Sequence, residues 1–172
     1  MNISQIIKAD VANGPGFRVS VFVSGCTNRC KGCFQPETWD FSYGRMFDKA
    51  TENLIIEELS KEIYQGITIL GGEPFEPSNQ EGLRPFLERI RKELPEKDIW
   101  MYTGCGYEEL LEGGRRHTKD TDTILKMADV LVDGRFIEEE KVPGLKFRGS
   151  RNQRVIDLRK ARESGTVVLK YE

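Results

Sequence analysis

An apolar segment that runs into a cluster of cysteines constrains this chain more than any other feature of its sequence. Residues 18–24, RVSVFVS, are rich in β-branched and aromatic side chains, which is typical of a β-strand. The run GCTNRCKGCF follows at once and contains Cys26, Cys30 and Cys33. The sequence therefore predicts a loop at the carboxyl end of a strand, in which three thiols lie close together.

Three closely spaced cysteines indicate a metal centre with one coordination position left open. The intervening residues are too few to let the thiolates move far apart, so the loop can enclose one compact inorganic group. A four-iron cluster is usually held by four thiolates, one on each iron, so three protein thiolates leave one iron for a ligand from elsewhere. Such an open position distinguishes catalytic from structural metal sites.

A structural zinc site is the alternative that the spacing leaves open. It needs a fourth ligand, and the candidates are Cys105 and the single histidine, His117. Structural zinc sites usually present two close pairs of ligands, whereas this chain has a close triplet and one distant cysteine. A disulfide framework is less favoured, because the sequence shows neither a signal peptide nor an apolar membrane span. We expect a cytoplasmic protein with reduced thiols.

Length and composition are those of one globular domain. The chain has 172 residues, of which 38% are hydrophobic and 31% are charged. A chain of this length can bury a hydrophobic core of its own. The net charge of −2 gives no electrostatic sign of nucleic-acid binding. A short basic stretch with Arg115, Arg116 and Lys119 is predicted to be a solvated loop. We expect a single domain over residues 1–172 that binds neither nucleic acid nor a membrane.

Strand-like and helix-like segments alternate along the chain, which favours βαβ units around a parallel sheet. The predicted strands are 18–24, 67–70, 99–102, 130–132 and 167–170, and the predicted helices are 51–64, about 79–94, 107–112 and 121–128. A closed eight-stranded barrel takes ~250 residues, more than this chain has. We therefore expect an α/β fold, an open and incomplete (β/α) barrel of about five or six mainly parallel strands with outer helices.

Apolar periodicity predicts which helix faces are buried. The helix at 51–64 is expected to have Thr51 as its N-cap and to bury a face that carries Leu54, Ile55, Leu59 and Ile63. In the helix at about 79–94 the inward residues are predicted to be the following: Leu83, Phe86, Leu87 and Ile90.

Four loops that follow predicted strands carry the candidate functional residues. They are the cysteine loop and the segments GGEPF at 71–75, YTGCG at 102–106 and VDGRF at 132–136. Functional sites of parallel α/β proteins collect at the carboxyl ends of the strands. We therefore expect these four loops to meet at one edge of the sheet.

The order of these motifs resembles the radical S-adenosylmethionine superfamily. The cysteines have CxxxCxxC spacing, and Gly71-Gly72-Glu73-Pro74 follows about forty residues later. The longer segments NGPGFRVSVFVSGC, CKGCFQPETWDF, VDGRF and FRGSRNQRVID are similar to those of the activating proteins of anaerobic ribonucleoside-triphosphate reductase. The resemblance extends over essentially the whole chain.

That resemblance implies a [4Fe–4S] cluster on Cys26, Cys30 and Cys33, with S-adenosylmethionine bound to the fourth iron. It implies reductive cleavage of this cosubstrate to a 5′-deoxyadenosyl radical, which takes hydrogen from a glycine Cα of anaerobic ribonucleoside-triphosphate reductase and leaves a glycyl radical there. It also implies a reducing partner such as flavodoxin or ferredoxin. The alternatives are an activase of pyruvate formate-lyase or another glycyl radical enzyme, or a non-enzymatic metal-binding or electron-transfer module.

The resemblance also assigns cosubstrate-binding roles to residues outside the triplet. Gly71 and Gly72 would let backbone approach the methionine end, Glu73 would accept a hydrogen bond from its ammonium group, and Pro74 would stiffen the turn. Phe34 would lie near the adenine. Structural roles explain the same residues, since a Gly-Gly pair makes tight turns and a phenylalanine fills cores.

Residues after two further strands complete the expected site. Thr103, Asp133 and Arg135 would contact the ribose or the methionine carboxylate, although Asp133 before a glycine is also a common turn residue. Cys105 is expected to be a buried, inert thiol. Four more residues match the family motif without an assigned role, and they are Arg148, Asn152, Gln153 and Arg154.

Overall fold

One mixed β-sheet organises residues 1–171, the part of the chain that the computed structural model describes. Its strands are β1 (Asn2–Asp10), β2 (Phe17–Val23), β3 (Arg45–Met46), β4 (Tyr64–Gly71), β5 (Asp98–Tyr102), β6 (Val130–Asp133), β7 (Arg154–Asp157) and β8 (Leu169–Tyr171). The helices are α1 (Lys49–Leu59), α2 (Pro77–Glu93), α3 (Thr121–Met127) and α4 (Leu158–Ser164). Short 3₁₀ turns occupy Pro36–Trp39, Tyr107–Leu110 and Glu138–Glu140.

The strand order is β3-β1-β2-β4-β5-β6-β7-β8. The central strands β2, β4, β5 and β6 are parallel to one another, and helices α1, α2 and α3 lie in the connections between them. The outer strands pair antiparallel on both sides. The carboxyl ends of the four parallel strands therefore lie along one edge, as the sequence predicts.

The strand count differs from the expected five or six. The structure adds β1, β3 and β7 to the predicted set, and the strand expected at 167–170 is β8, antiparallel to β7. An open (β/α) barrel stays a prediction, and the parallel centre with a helix in each connection supports it. No helix within residues 1–171 is long and apolar enough to cross a membrane.

The core lies between the parallel strands and the helices that connect them. Parallel strands are buried on both faces, and β2 accordingly buries every residue after Phe17. The predicted inward face of α2 is confirmed, because all four side chains are inaccessible to solvent: Leu83, Phe86, Leu87 and Ile90.

The predicted burial of α1 is partly wrong. Leu54 is 62% exposed and Ile63, which lies beyond the end of the helix, is 59% exposed. The N-cap is Asp48, whose side chain accepts a hydrogen bond from the amide of Thr51. The helix thus begins and ends earlier than predicted, and Ile55 and Leu59 remain buried as expected.

Two leucines on α1 test this burial pattern. Replacing buried Leu59 by alanine should lower the free energy of unfolding by about 2–5 kcal/mol, because the substitution leaves a cavity in the core. Replacing exposed Leu54 by alanine should change it by less than about 0.5 kcal/mol. Urea unfolding followed by circular dichroism measures both values. Equal losses in the two variants would contradict the observed orientation of α1.

Candidate active site

The cysteine loop leaves β2 and is fixed by the turn at Pro36–Trp39. The amide of Gly25 donates to the carbonyl of Thr38 at 2.8 Å, and the amide of Cys26 donates to the carbonyl of Trp39 at 3.3 Å. Gly25 has a φ of 95°, a conformation that L side chains rarely adopt. Cys26, the first of the three predicted ligands, is therefore held by backbone hydrogen bonds on a sharp bend at the end of the strand.

The GGEPF segment packs against the backbone of the same loop, because β4 is the parallel neighbour of β2. The amide of Gly72 donates to the carbonyl of Val23 at 2.7 Å, and that of Glu73 donates to the carbonyl of Gly25 at 2.9 Å. A Cβ atom on Gly72 would lie 2.6 Å from the carbonyl oxygen of Gly25. The two segments can approach this closely only because the side chain at position 72 is missing.

The two segments form walls of one cavity of about 550 Å³. Most of the predicted site residues line it, and they are Cys26, Cys30, Cys33, Phe34, Gly71, Gly72, Pro74 and Thr103. Residues of the segment that precedes β7 also line it, including Phe147, Arg148 and Gln153. The convergence of these loops is thus confirmed for the ends of β2, β4 and β5, and for the VDGRF segment after β6 through Phe136.

The donor set on this wall fits an iron–sulfur cluster. Thiolates are the ligands of such clusters, and the three that line the cavity are its only Cys or His side chains among residues 1–171. In the same described range, no three Cys, His, Asp or Glu side chains are grouped around a position for a single ion. The cavity has room for a larger inorganic group together with an organic ligand.

Burial changes the acidity of Cys26. It raises the pKa of this thiol from 9.0 to about 11, with the nearby Glu73 carboxyl acting in the same direction. The thiol therefore stays protonated at neutral pH in the metal-free chain, and a metal ligand must lose this proton on binding.

This acidity predicts slow alkylation of Cys26 in the metal-free chain. At pH 8 the folded protein should hold about a hundredfold less Cys26 thiolate than the unfolded one, since the pKa differs by two units and only the thiolate reacts. Mass spectrometry of the Cys26 peptide after iodoacetamide treatment, with and without urea, measures the ratio. The folded-state rate should rise with pH up to about 11, and equal rates at pH 8 would contradict the burial.

Glu73 lies beside the cavity wall and is not part of it. Its carboxylate is fully buried and absent from the cavity wall, and burial raises the pKa of the carboxyl. One oxygen accepts from Thr103 Oγ1 at 2.8 Å, and the other accepts from the Gly104 amide and from Asn28 Nδ2, both at 2.8 Å. Glu73 therefore links its own loop to the cysteine loop and to the loop after β5, and its contact with the methionine ammonium stays a prediction.

Asp133 and Arg135 are also turned away from the cavity. Asp133 is buried against Arg154, with an oxygen-to-nitrogen distance of 2.5 Å, and accepts from the amide of Tyr107 at 2.6 Å. Arg135 donates to the backbone carbonyl of Asn28. Neither side chain lines the cavity. Each side chain thus has a protein partner in this structure, and the predicted contacts with the cosubstrate stay predictions.

Phe34 lies on the rim of the cavity and not in the core. It is 65% exposed, its ring centroid is 5.2 Å from that of Phe136, and the Lys141 ammonium lies 4.8 Å from it. An exposed aromatic ring beside a cavity can contact a heteroaromatic ligand or a protein partner. Its role near the adenine stays a prediction.

The two candidates for a fourth zinc ligand have other neighbours. Cys105 is buried, as predicted, with its sulfur 3.3 Å from Arg115 Nη2. His117 Nε2 lies 3.1 Å from Asp122 Oδ1. Each of the two side chains therefore contacts residues other than the three cysteines of the triplet.

Two of the four motif residues without an assigned role, Arg148 and Gln153, line the cavity. Gln153 accepts from the amides of Gly149 and Ser150 and donates to the carbonyl of Gly134. Asn152 donates to the carbonyl of Arg135. Arg148 Nη1 donates to the carbonyl of Gln153, and Arg154 pairs with Asp133 and Glu108. These contacts fix the segment that faces the cysteines.

Two residues of the site escaped the sequence analysis. Asn28, inside the cysteine loop, lines the cavity and bonds Glu73. Arg116 was expected in a solvated loop, but it is 6% exposed and forms a 2.6 Å ion pair with Glu76. The position of Asn28 between two ligand cysteines was an available signal, whereas nothing in the local sequence distinguishes Arg116 from its exposed neighbour Arg115.

Comparison with known proteins shows to which class of domain this chain belongs. Residues 12–156 match the family model described as a 4Fe–4S single cluster domain. Anaerobic ribonucleoside-triphosphate reductase-activating proteins are similar along almost their whole length. That of Haemophilus influenzae is 44% identical over 155 residues, covering 89% of this chain and 96% of the relative.

Two further relatives carry the same protein name. The protein of the same name from Escherichia coli K12 is 40% identical over 161 residues, covering 92% of this chain and all of the relative. That of enterobacteria phage T4 is 38% identical over 156 residues, covering 90% and 93%. The fold and the cysteine loop thus define a single-cluster iron–sulfur domain. The chain belongs to the family of anaerobic ribonucleoside-triphosphate reductase-activating proteins.

Proposed function

We propose that this chain is a radical S-adenosylmethionine enzyme that activates anaerobic ribonucleoside-triphosphate reductase by generating a glycyl radical on it. One observation carries the proposal: the three thiols of the cysteine loop and the glycine backbone of the next parallel strand line one cavity. Family membership provides the target, since the relatives are named as activating proteins of this reductase.

Cys26, Cys30 and Cys33 would hold three irons of a [4Fe–4S] cluster, which leaves the fourth iron for S-adenosylmethionine. When bound, this pair supplies one-electron cleavage of the sulfonium carbon–sulfur bond and removal of hydrogen from a glycine Cα. The chain itself contributes the thiolates, the close-packed backbone at Gly71 and Gly72, and a mostly apolar wall that limits the access of water.

The rim of the cavity supports a protein substrate. Phe34 is exposed there beside Phe136, and such an aromatic pair suits a contact with another protein. A glycine on the partner must come within roughly 3–3.5 Å of the reacting carbon, so the partner has to insert a loop. We also propose that flavodoxin or ferredoxin supplies the electron and that the protein works in the cytoplasm, where its four free cysteines stay reduced.

The proposal is tested with the purified reductase. The chain, loaded anaerobically with iron and sulfide, should produce 5′-deoxyadenosine from S-adenosylmethionine and a reductant, and should give the reductase a glycyl radical signal in electron paramagnetic resonance. Pyruvate formate-lyase in place of the reductase should give no such signal. A signal on the formate-lyase alone would overturn the proposed target, and a loaded chain that never cleaves the cosubstrate would overturn the activity.

A further inference from the structure

Asn28, in the cysteine loop and on the cavity wall, lies at the centre of a buried hydrogen-bond network. It stands between Cys26 and Cys30 in the sequence and is 5% exposed. Its Nδ2 atom donates to Glu73 Oε2 at 2.8 Å, and its Oδ1 atom accepts from Arg116 Nη2 at 3.3 Å. One side chain therefore joins the cysteine loop to the GGEPF segment and to a third loop from a distant part of the chain.

The partners of Asn28 determine which way its amide points. A guanidinium group can only donate, so the atom facing Arg116 must be the carbonyl oxygen. Glu73 accepts from the amides of Phe75 and Gly104, which identifies its carboxylate as an acceptor and places the Asn28 NH₂ group against it. A reversed amide would lose both bonds, and the side chain is held in a single orientation.

Arg116 is itself fixed by a buried ion pair. Its Nη1 atom lies 2.6 Å from Glu76 Oε2, and its Nη2 atom donates to Thr27 Oγ1 at 2.6 Å. Glu76 also accepts from the amide of Thr27 at 2.7 Å. Burying two charges has a desolvation cost that opposes their attraction, so such a pair is weak evidence for stability and better evidence for a required geometry.

We propose that Asn28 is a positioning residue of the reaction, an inference that rests on the proposed function. By joining Arg116 to Glu73, it keeps the thiols of the cysteine loop at a fixed distance from the glycine backbone that faces the cosubstrate. Its role is geometric, because the side chain neither ionises nor supplies a thiolate. Cluster assembly needs the three cysteines alone. Productive binding of S-adenosylmethionine also needs the cysteine loop and the GGEPF segment at the correct distance from each other.

The variant Asn28→Ala separates these two requirements. After anaerobic reconstitution its iron and sulfide content should equal that of the wild type. Equilibrium dialysis with S-adenosylmethionine should show a roughly tenfold to hundredfold higher dissociation constant, the range expected for a misplaced binding group. The change that the cosubstrate causes in the electron paramagnetic resonance spectrum of the reduced cluster should weaken in parallel.

A measurement without any cofactor gives a second readout. In metal-free Asn28→Ala, the backbone amide of Gly104 should exchange hydrogen faster than in the wild type, because its acceptor Glu73 has lost the Asn28 bond that holds it. The backbone amides of β4 that donate to the neighbouring strands should keep their protection. Unchanged exchange at Gly104 would contradict the coupling.

Adjacent arginines provide a matched pair of variants. Arg116→Gln removes the donor that orients Asn28 and should weaken cosubstrate binding as Asn28→Ala does. Arg115→Gln alters the exposed neighbour, whose guanidinium pairs with Glu109 at 2.7 Å, and should bind the cosubstrate as the wild type does. Equal effects of the two arginine variants would show a general charge effect and overturn the proposal.

Two outcomes distinguish this inference from the proposed function. Wild-type cosubstrate binding in iron-loaded Asn28→Ala would overturn the positioning role and leave the proposed function intact. Iron loss in Asn28→Ala in proportion to lost binding would also overturn it, because the residue would then serve cluster retention. A fully loaded wild-type chain that does not bind S-adenosylmethionine would instead contradict the proposed function itself.

Discussion

Cys30→Ala is expected to abolish both cluster retention and formation of 5′-deoxyadenosine. Two thiolates would remain for a four-iron cluster, which leaves two irons without protein ligands. Even partners outside the coordination shell change metal affinity by 10–100-fold, so loss of a ligand should reduce product formation by more than ~100-fold. Iron and sulfide analysis after anaerobic reconstitution, with chromatography of the nucleoside product, measures both effects.

Cys105→Ala is the matched control for this experiment. Cys105 is fully buried in the hydrophobic core, and its sulfur faces Arg115 at 3.3 Å. The variant should keep its full iron content and lose about 1 kcal/mol of unfolding free energy, as is common for a buried truncation. Iron loss in Cys105→Ala would show that Cys105 is a fourth ligand. Full product formation by Cys30→Ala would exclude a cluster held by the three thiolates.

The parallel centre of the sheet was predictable because its strands are continuous apolar runs buried on both faces. The predicted strand 18–24 corresponds to Phe17–Val23, and 99–102 lies within Asp98–Tyr102. Strand β1 was missed because its sequence NISQIIKAD mixes polar and apolar residues, which suits an outer strand. Strand β7 has only four residues, too few for a periodic signal.

The edge of the sheet where the site lies was predictable for a related reason. In a parallel sheet, the end of each strand fixes where the following loop begins, so the cysteine loop and the GGEPF segment had to be neighbours once β2 and β4 were paired. Side-chain direction does not follow from that argument. Glu73 follows β4 and Asp133 is the last residue of β6, yet each contacts a protein partner, Asn28 and Arg154 respectively.

Those partners explain why the sequence left the roles of the acidic residues open. Asn28 lies in the loop after β2, far from Glu73 in the sequence, and Arg154 begins β7, a strand that the sequence did not reveal. A buried carboxylate needs hydrogen-bond donors, but the donors are chosen by tertiary packing between distant segments. The three cysteines proposed as cluster ligands need no such information, because all three lie within one short loop.

Gly72→Ala is expected to reduce formation of 5′-deoxyadenosine by about 100-fold, although the change adds one methyl group. Its Cβ would lie 2.6 Å from the carbonyl oxygen of Gly25 and 3.1 Å from that of Thr38. Both are backbone atoms of the segments that hold the cysteine loop, so the loops themselves must move apart. A displacement of about 1 Å at a binding site can cost two orders of magnitude in rate.

The control for this substitution is Gly106→Ala in a neighbouring loop. Gly106 has a φ of −68°, which any residue adopts, and the nearest atom to its added Cβ is the flexible end of Glu108 at 3.2 Å. That variant should keep wild-type product formation, while Gly72→Ala should keep its iron, because the three thiolates are unchanged. Full activity of Gly72→Ala would mean that the cysteine loop and the GGEPF segment need not touch, and the close backbone contact would then have no part in catalysis.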